Sequence, residues 1–219
     1  MEKLKRYVLF LVGLFISSFG VSLITKADLG TSPISSIPYV MSLGCRFTLG
    51  QFTIIFSLFL IILQVIILRS RFKKEDLLQI PVSVLFGYFI DCTMVMIRDF
   101  QPETYAVKLL SLLAGCLILG FGVYVEVLAN VVMLPGESFV RAVSSTWNTD
   151  FGATKVCFDA SMTVFAGLMS FVLFHTLNGV REGTIVAALI VGIIAKFFGR
   201  ILKFIEPILF QKNETGGTE

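Results

Sequence analysis

Long apolar runs alternate with short polar stretches along the whole chain. Residues Tyr7–Thr25, Phe47–Leu68, Leu109–Val125 and Ala160–Val180 carry no Asp, Glu, Lys or Arg. Leu77–Ile97 is broken only by Asp91, and Thr184–Leu202 only by Lys196 and Arg200. These runs are 17 to 22 residues long, and about 20 apolar residues cross the hydrocarbon core as an α-helix. The pattern predicts an all-α polytopic membrane protein with six transmembrane helices, near 7–27, 47–68, 77–97, 105–128, 152–175 and 184–205. Two stretches, 31–45 and 133–147, are left over and are too short to cross. Pro33 and Pro135 stand near their starts, where the first turn of a helix accepts proline.

The two leftovers are related. Displacing the chain by 102 residues places 11–36 on 113–138 and gives twelve identities over positions 7–58. Matched Leu and Val mean little in a membrane sequence. Gly13/Gly115, Gly20/Gly122, Pro33/Pro135, Ser36/Ser138, Ser42/Ser144 and Gly50/Gly152 carry the weight. With three more residues allowed, Gly87 falls on Gly192 and Asp91 on Lys196. The expected domains are a first repeat over 1–101, a second over 102–206, and a disordered tail over 207–219 whose Asn213 sequon is a chance match. Each repeat holds three spans, an odd number, so successive copies lie in opposite orientations, as in many secondary transporters. The short segments are then re-entrant or broken helices whose N-terminal ends approach the midplane from opposite faces. Helices lying flat at the interface are the alternative.

Composition agrees with a bilayer environment. The chain is 56% hydrophobic and 15% charged, against roughly 25% charged in soluble domains. A net charge of +3 gives no case for nucleic acid. Lys3, Lys5, Arg6, Arg69, Arg71, Lys73, Lys74, Arg200, Lys203 and Lys212 fall on one side if both termini are cytoplasmic, which the positive-inside rule favours. Cys45, Cys92, Cys116 and Cys157 share no metal-type spacing, and His175 is the only histidine. No metal and no cofactor is expected. No nucleophile elbow, phosphate loop or dinucleotide motif appears, so the reading is not an enzyme.

The stretches "DLGTSPISSIPYVMSLG", "FTLGQFTIIFSLFLIILQVIIL" and "LLQIPVSVLFGYFIDCTM", with "MLPGESFVRAVS" and "FGATKVCFDASM" as the matching second half, resemble the YczE/YitT-type bacterial integral membrane proteins. The resemblance spans roughly residues 5–205. It implies a multi-span protein of the bacterial inner membrane with a transport-related role, and it supplies no substrate. Asn130 and Val132 stand where the first half has Asp28 and Gly30, so a role of those two need not be shared.

Ionisable residues within spans are costly and tend to be paired or functional. Asp91 and Lys196 are repeat equivalents, read as a buried ion pair, a gating or coupling pair, or an anchor with Lys196 reaching the interface. Asp159 follows Lys155 by one turn, as a local ion pair or a cavity carboxylate. Glu137 and Arg141 share that spacing on the second short segment, as a salt bridge or with Arg141 as an anion contact. Glu126 is a further cavity candidate. Thr31, Ser32, Ser35 and Ser36 give the first short segment an uncharged polar face, and Ser138 is the counterpart of Ser36. The residues point to a secondary carrier for a small polar or anionic organic solute, bound by these hydroxyls with Glu137, Ser138 and Arg141, and coupled or gated through Asp91, Lys196, Asp159 and Glu126. A binding subunit of a vitamin importer and a non-transporting membrane partner are the other classes. Expected partners are membrane lipid and the solute, and a homodimer is compatible with the pattern.

Overall fold

The structure, a computed structural model, describes residues 2–202. The expectations for the tail 207–219 with Asn213, for Lys203 and Lys212, and for the last helix beyond 202 lie outside the described residues. The described residues fold as eight α-helices: α1 Glu2–Lys26, α2 Pro33–Gly44, α3 Leu49–Leu68, α4 Gln79–Met96, α5 Tyr105–Ala129, α6 Pro135–Trp147, α7 Phe151–Phe174 and α8 Glu182–Ile201. Single 3-10 turns at Arg69–Arg71 and Lys74–Leu78 join α3 to α4. No strand occurs among the described residues. Six of the helices are long and apolar enough to cross a membrane, and α2 and α6 are the short ones. The first span begins earlier than the apolar run because Lys3, Lys5 and Arg6 are good helix formers that extend α1 past its apolar stretch.

Local chemistry sets the helix ends. Pro33 and Pro135 each occupy the first turn of a short helix, where a missing N–H costs nothing. Thr48 and Gln51 form a capping box at the start of α3, and the Asp150 carboxylate accepts from the Ala153 N–H at 2.8 Å at the start of α7. Past the ends of α1 and α5, Asp28 (φ 56°) and Asn130 (φ 48°) take the left-handed conformation, which Asp and Asn adopt more readily than most residues. His175 does the same after α7.

The core of the bundle is the crossing of α1 and α5. Along α1, Gly13 faces Glu126, Ser17 faces Gly122, Gly20 faces Leu119 and Ile24 faces Gly115. Partners step down α5 as the chain climbs α1, so the two helices run antiparallel. A methyl on Gly20 would lie 2.5 Å from the Leu119 nitrogen, and one on Gly122 would lie 2.6 Å from the Ser17 nitrogen. Without those side chains the backbones come close and dispersion along the seam is maximised, the main source of helix association in lipid. The ends match the same register. Arg6 donates to the Ala129 carbonyl at 3.3 Å, and Lys108 pairs with Asp28 at 2.5 Å. Each cation sits at the negative end of the neighbouring helix.

The remaining helices flank this pair. α4 packs on α1, where Ser22 and Thr93 share a 2.8 Å hydrogen bond. α8 packs on α5, with Phe121 and Phe198 at 5.1 Å between centroids. α2 packs against α7 and α3, and α6 against α3 and α7. The two short helices meet at their starts: a methyl on Gly136 would fall 1.8 Å from Ile34 Cδ1. Outward faces of α7 and α8 carry Val164, Leu168, Phe171, Val172, Ile185, Leu189, Ile193 and Phe197 in the open. Such a continuous apolar surface is tolerable against lipid, not water.

Gly20→Val should cost about 1–3 kcal/mol through overpacking and lower the melting temperature of the detergent-solubilised protein. Gly192→Ala, with nothing within 4 Å of the added methyl, should leave it unchanged or raise it slightly. Superimposable melting curves for Gly20→Val and the parent would refute the close crossing.

Candidate functional site

A cavity of 610 Å³ opens at the end of the bundle where α5 finishes. Its walls come from the last turns of α3 (Gln64, Leu68), the end of α5 (Val123, Glu126, Val127), the loop Asn130–Leu134, and α6 (Glu137, Ser138, Arg141, Ser145). Arg71, Lys73, Glu75 and Asp76 ring its mouth.

Each polar wall residue is held by a specific contact. Gln64 is 1% exposed and its Nε2 donates to the Pro135 carbonyl at 3.1 Å. That bond fixes the start of α6 against α3, and Leu60, Val140 and Phe158 pack just beyond it. Glu126 is 8% exposed. Gly13 on α1 makes room for it, since a methyl there would lie 3.1 Å from Glu126 Cγ. Ser17 Oγ donates to Glu126 Oε1 at 2.5 Å. Arg141 Nη1 lies 3.4 Å from Met133 Sδ, a weak acceptor. Burial raises the Glu137 carboxyl above its ordinary value, and the Lys155 ammonium on α7 opposes that shift.

A second cavity, of 430 Å³, opens where α1 finishes and is lined by Asp28, Tyr39, Leu43, Phe174, Leu177, Asn178, Gly179 and Arg181. Because α1 and α5 are antiparallel, the two cavities lie at opposite ends of the bundle. Asp28, Tyr39 and Leu43 precede Asn130, Arg141 and Ser145 of the first cavity by the same 102 residues. Arg181 closes one side by donating to the Asp28 carbonyl at 3.1 Å.

Of the residues singled out in the sequence, Glu126, Glu137, Ser138 and Arg141 come together in the first cavity. The others lie elsewhere. Thr31, Ser32, Ser35 and Ser36 are buried and bonded within the protein. Thr31 Oγ1 meets Thr25 Oγ1 at 2.9 Å and its N–H donates to Thr184 Oγ1 at 3.3 Å; Ser32 donates to Ser35 at 2.9 Å, and Ser36 to the Pro33 carbonyl. They line neither cavity described above. Asp159 pairs with Lys155 at 2.5 Å, the local alternative.

Two expected ion pairs need correcting. Asp91 does not meet Lys196 among the described residues. Its carboxylate accepts from Thr48 Oγ1 at 2.6 Å and from the Gly50 N–H at 2.9 Å, so it caps the start of α3 from the neighbouring helix. Gly50 and Gly87 bring α3 and α4 close enough for this. Lys196 stands exposed on α8. Nor do Glu137 and Arg141 pair with each other, since the guanidinium turns to Met133 instead. Gln64 and Asn130 were not singled out as cavity residues. Gln64 had a signal, as the lone amide in an otherwise apolar stretch, "LFLIILQVIIL".

The profile of a family of unknown function, DUF6198, matches residues 4–200. Two curated Bacillus subtilis proteins are similar along most of their length. The uncharacterized protein YyaS is 22% identical over 212 residues, covering 96% of this chain and 99% of its own. The uncharacterized membrane protein YczE is 28% identical over 202 residues, covering 90% and 86%. No solved structure matches.

If Asp91 caps α3, Asp91→Ala should cost about 0.5–2 kcal/mol, seen as a lower melting temperature, while Lys196→Met should not reproduce the loss. Equal losses that fail to add in the double variant would restore the ion pair.

Proposed function

The chain belongs to the family of unknown function DUF6198, and we propose that it is a secondary carrier for a small polar or anionic organic solute, built of two inverted halves. The observation that carries this reading is the pair of cavities at opposite ends of the bundle, lined at positions 102 residues apart, with Ile34 and Gly136 in contact at the starts of the two short helices. The antiparallel seam of α1 and α5 supports the inversion. So does the pairing of contacts around it: α4 on α1 with α8 on α5, and α2 on α7 with α6 on α3. In this reading α2 and α6 are re-entrant half-helices whose starts meet near the midplane, the arrangement by which inverted-repeat carriers place a site between the repeats. Irregular backbone at that depth is satisfied by protein, as Gln64 does for Pro135 and Thr184 for Thr31.

The charges support a direction for this reading. With Lys3, Lys5, Arg6, Arg69, Arg71 and Lys73 on the cytoplasmic side of a bacterial inner membrane, as the positive-inside rule favours, the N-terminal end of α1 and the first cavity would face the cytoplasm. Transport then requires the Ile34–Gly136 contact to open as one half rocks against the other. The chain acts by binding and moving a solute, with no chemical conversion.

Uptake of a panel of labelled metabolites into proteoliposomes tests this. At least one polar solute should accumulate, and Arg141→Ala should lower its initial rate by about tenfold or more, the scale of losing a charge contact to the solute. Uptake equal to that of empty liposomes for every solute, or an unaffected Arg141→Ala variant, would contradict the assignment.

A further inference from the structure

The first cavity is lined by a carboxyl group, Glu126, and a guanidinium, Arg141, neither of which forms an ion pair among the described residues. Glu126 lies in a spanning helix and is 8% exposed. Its one bond is the Ser17 hydroxyl, and no cation pairs with it among the described residues. Glu137 lines the same cavity. Glu137 itself has Lys155 nearby. Arg141, on the lining of the same cavity, has no carboxylate partner among the described residues, only the Met133 sulfur. The spacing of Glu137 and Arg141 would let them pair along α6, yet they do not.

Glu126 is buried with no cation beside it, which is unfavourable for its charged form, and Arg141 stands exposed on the same cavity's lining with its planar fork free to take a carboxylate. One molecule carrying an ammonium and a carboxylate suits both. Gln64 lines the same cavity with its amide nitrogen already engaged by the Pro135 carbonyl. Ser138 and Asn130 add neutral polar groups. We infer that this cavity binds a zwitterionic amino acid, its ammonium against Glu126 and its carboxylate on the Arg141 guanidinium. The inference rests on the carrier reading only for the solute's passage; binding itself does not depend on it.

The test uses the full chain in lipid nanodiscs and isothermal titration with glycine, β-alanine and γ-aminobutyrate, which share both charges at increasing separation. Butyrate and butylamine each keep one charge. The expected result is that at least one zwitterion binds about tenfold or more tightly than both single-charge analogues. Glu126→Gln, which retains an acceptor for Ser17, should erase the preference over butyrate. Arg141→Gln should erase the preference over butylamine. Each preference is a ratio within one variant, so a partly unfolded sample does not mimic the result. Failure of all three zwitterions to bind, or equal binding of butyrate or butylamine, overturns the proposal. Zwitterion binding without uptake would uphold this site and sink the carrier reading. Uptake of an anion that lacks an amino group, with no zwitterion preference, would do the reverse.

Discussion

The close antiparallel crossing of α1 and α5 is the constraint on which the rest of the molecule depends. Lipid tails are as apolar as leucine, so burial of apolar area cannot drive these helices together, and contact must be made by shape. Gly13, Gly20, Gly115 and Gly122 supply that shape at successive turns of the seam. The crossing fixes two further things. It sets the C-terminal ends of α1 and α5 at opposite ends of the bundle. It also leaves space beside Gly13 into which Glu126 is folded, bonded to Ser17. A larger residue at position 13 would evict the carboxylate from the cavity wall.

From those two ends the chain turns back into the bundle, at Asp28–Ser32 and at Asn130–Leu134, and the short helices begin. Both turns start with a left-handed Asp or Asn, and both short helices begin with proline. The first turn is pinned by Thr184 on α8, and by the Gly183 N–H donating to the Leu29 carbonyl at 2.8 Å. The start of α6 is pinned by Gln64 on α3. Different residues thus meet the same need, which is to satisfy backbone groups where no water reaches them. The two cavities differ in the same way. The first carries Glu126, Glu137 and Arg141, while the second has Tyr39 where the first has Arg141.

Much of the fold was legible in the chain because its signals are local. Uncharged run length located the six long helices, and Pro33 and Pro135 located the starts of the short ones. Tertiary facts were less legible. Asp91 reads as a charge stranded in a span, yet it caps α3, because Gly50 and Gly87 bring the start of that helix to it. No spacing rule within α4 carries that information. The hydroxyls Thr31, Ser32, Ser35 and Ser36 read as a binding face, but the contacts of α2 with α7 and α8 turn them inward, where they bond to one another and to backbone. Glu137 and Arg141 have the spacing of an ion pair, yet the guanidinium lies against the loop residue Met133.

Sidedness of two equivalent positions tests the inverted build most directly. In a background lacking Cys45, Cys92, Cys116 and Cys157, Asp28→Cys and Asn130→Cys place single thiols at exposed turns after α1 and α5. With a membrane-impermeant maleimide on intact cells, the account predicts modification at position 28 from outside, and at position 130 only after the membrane is opened. Labelling of both positions from the same face would contradict it.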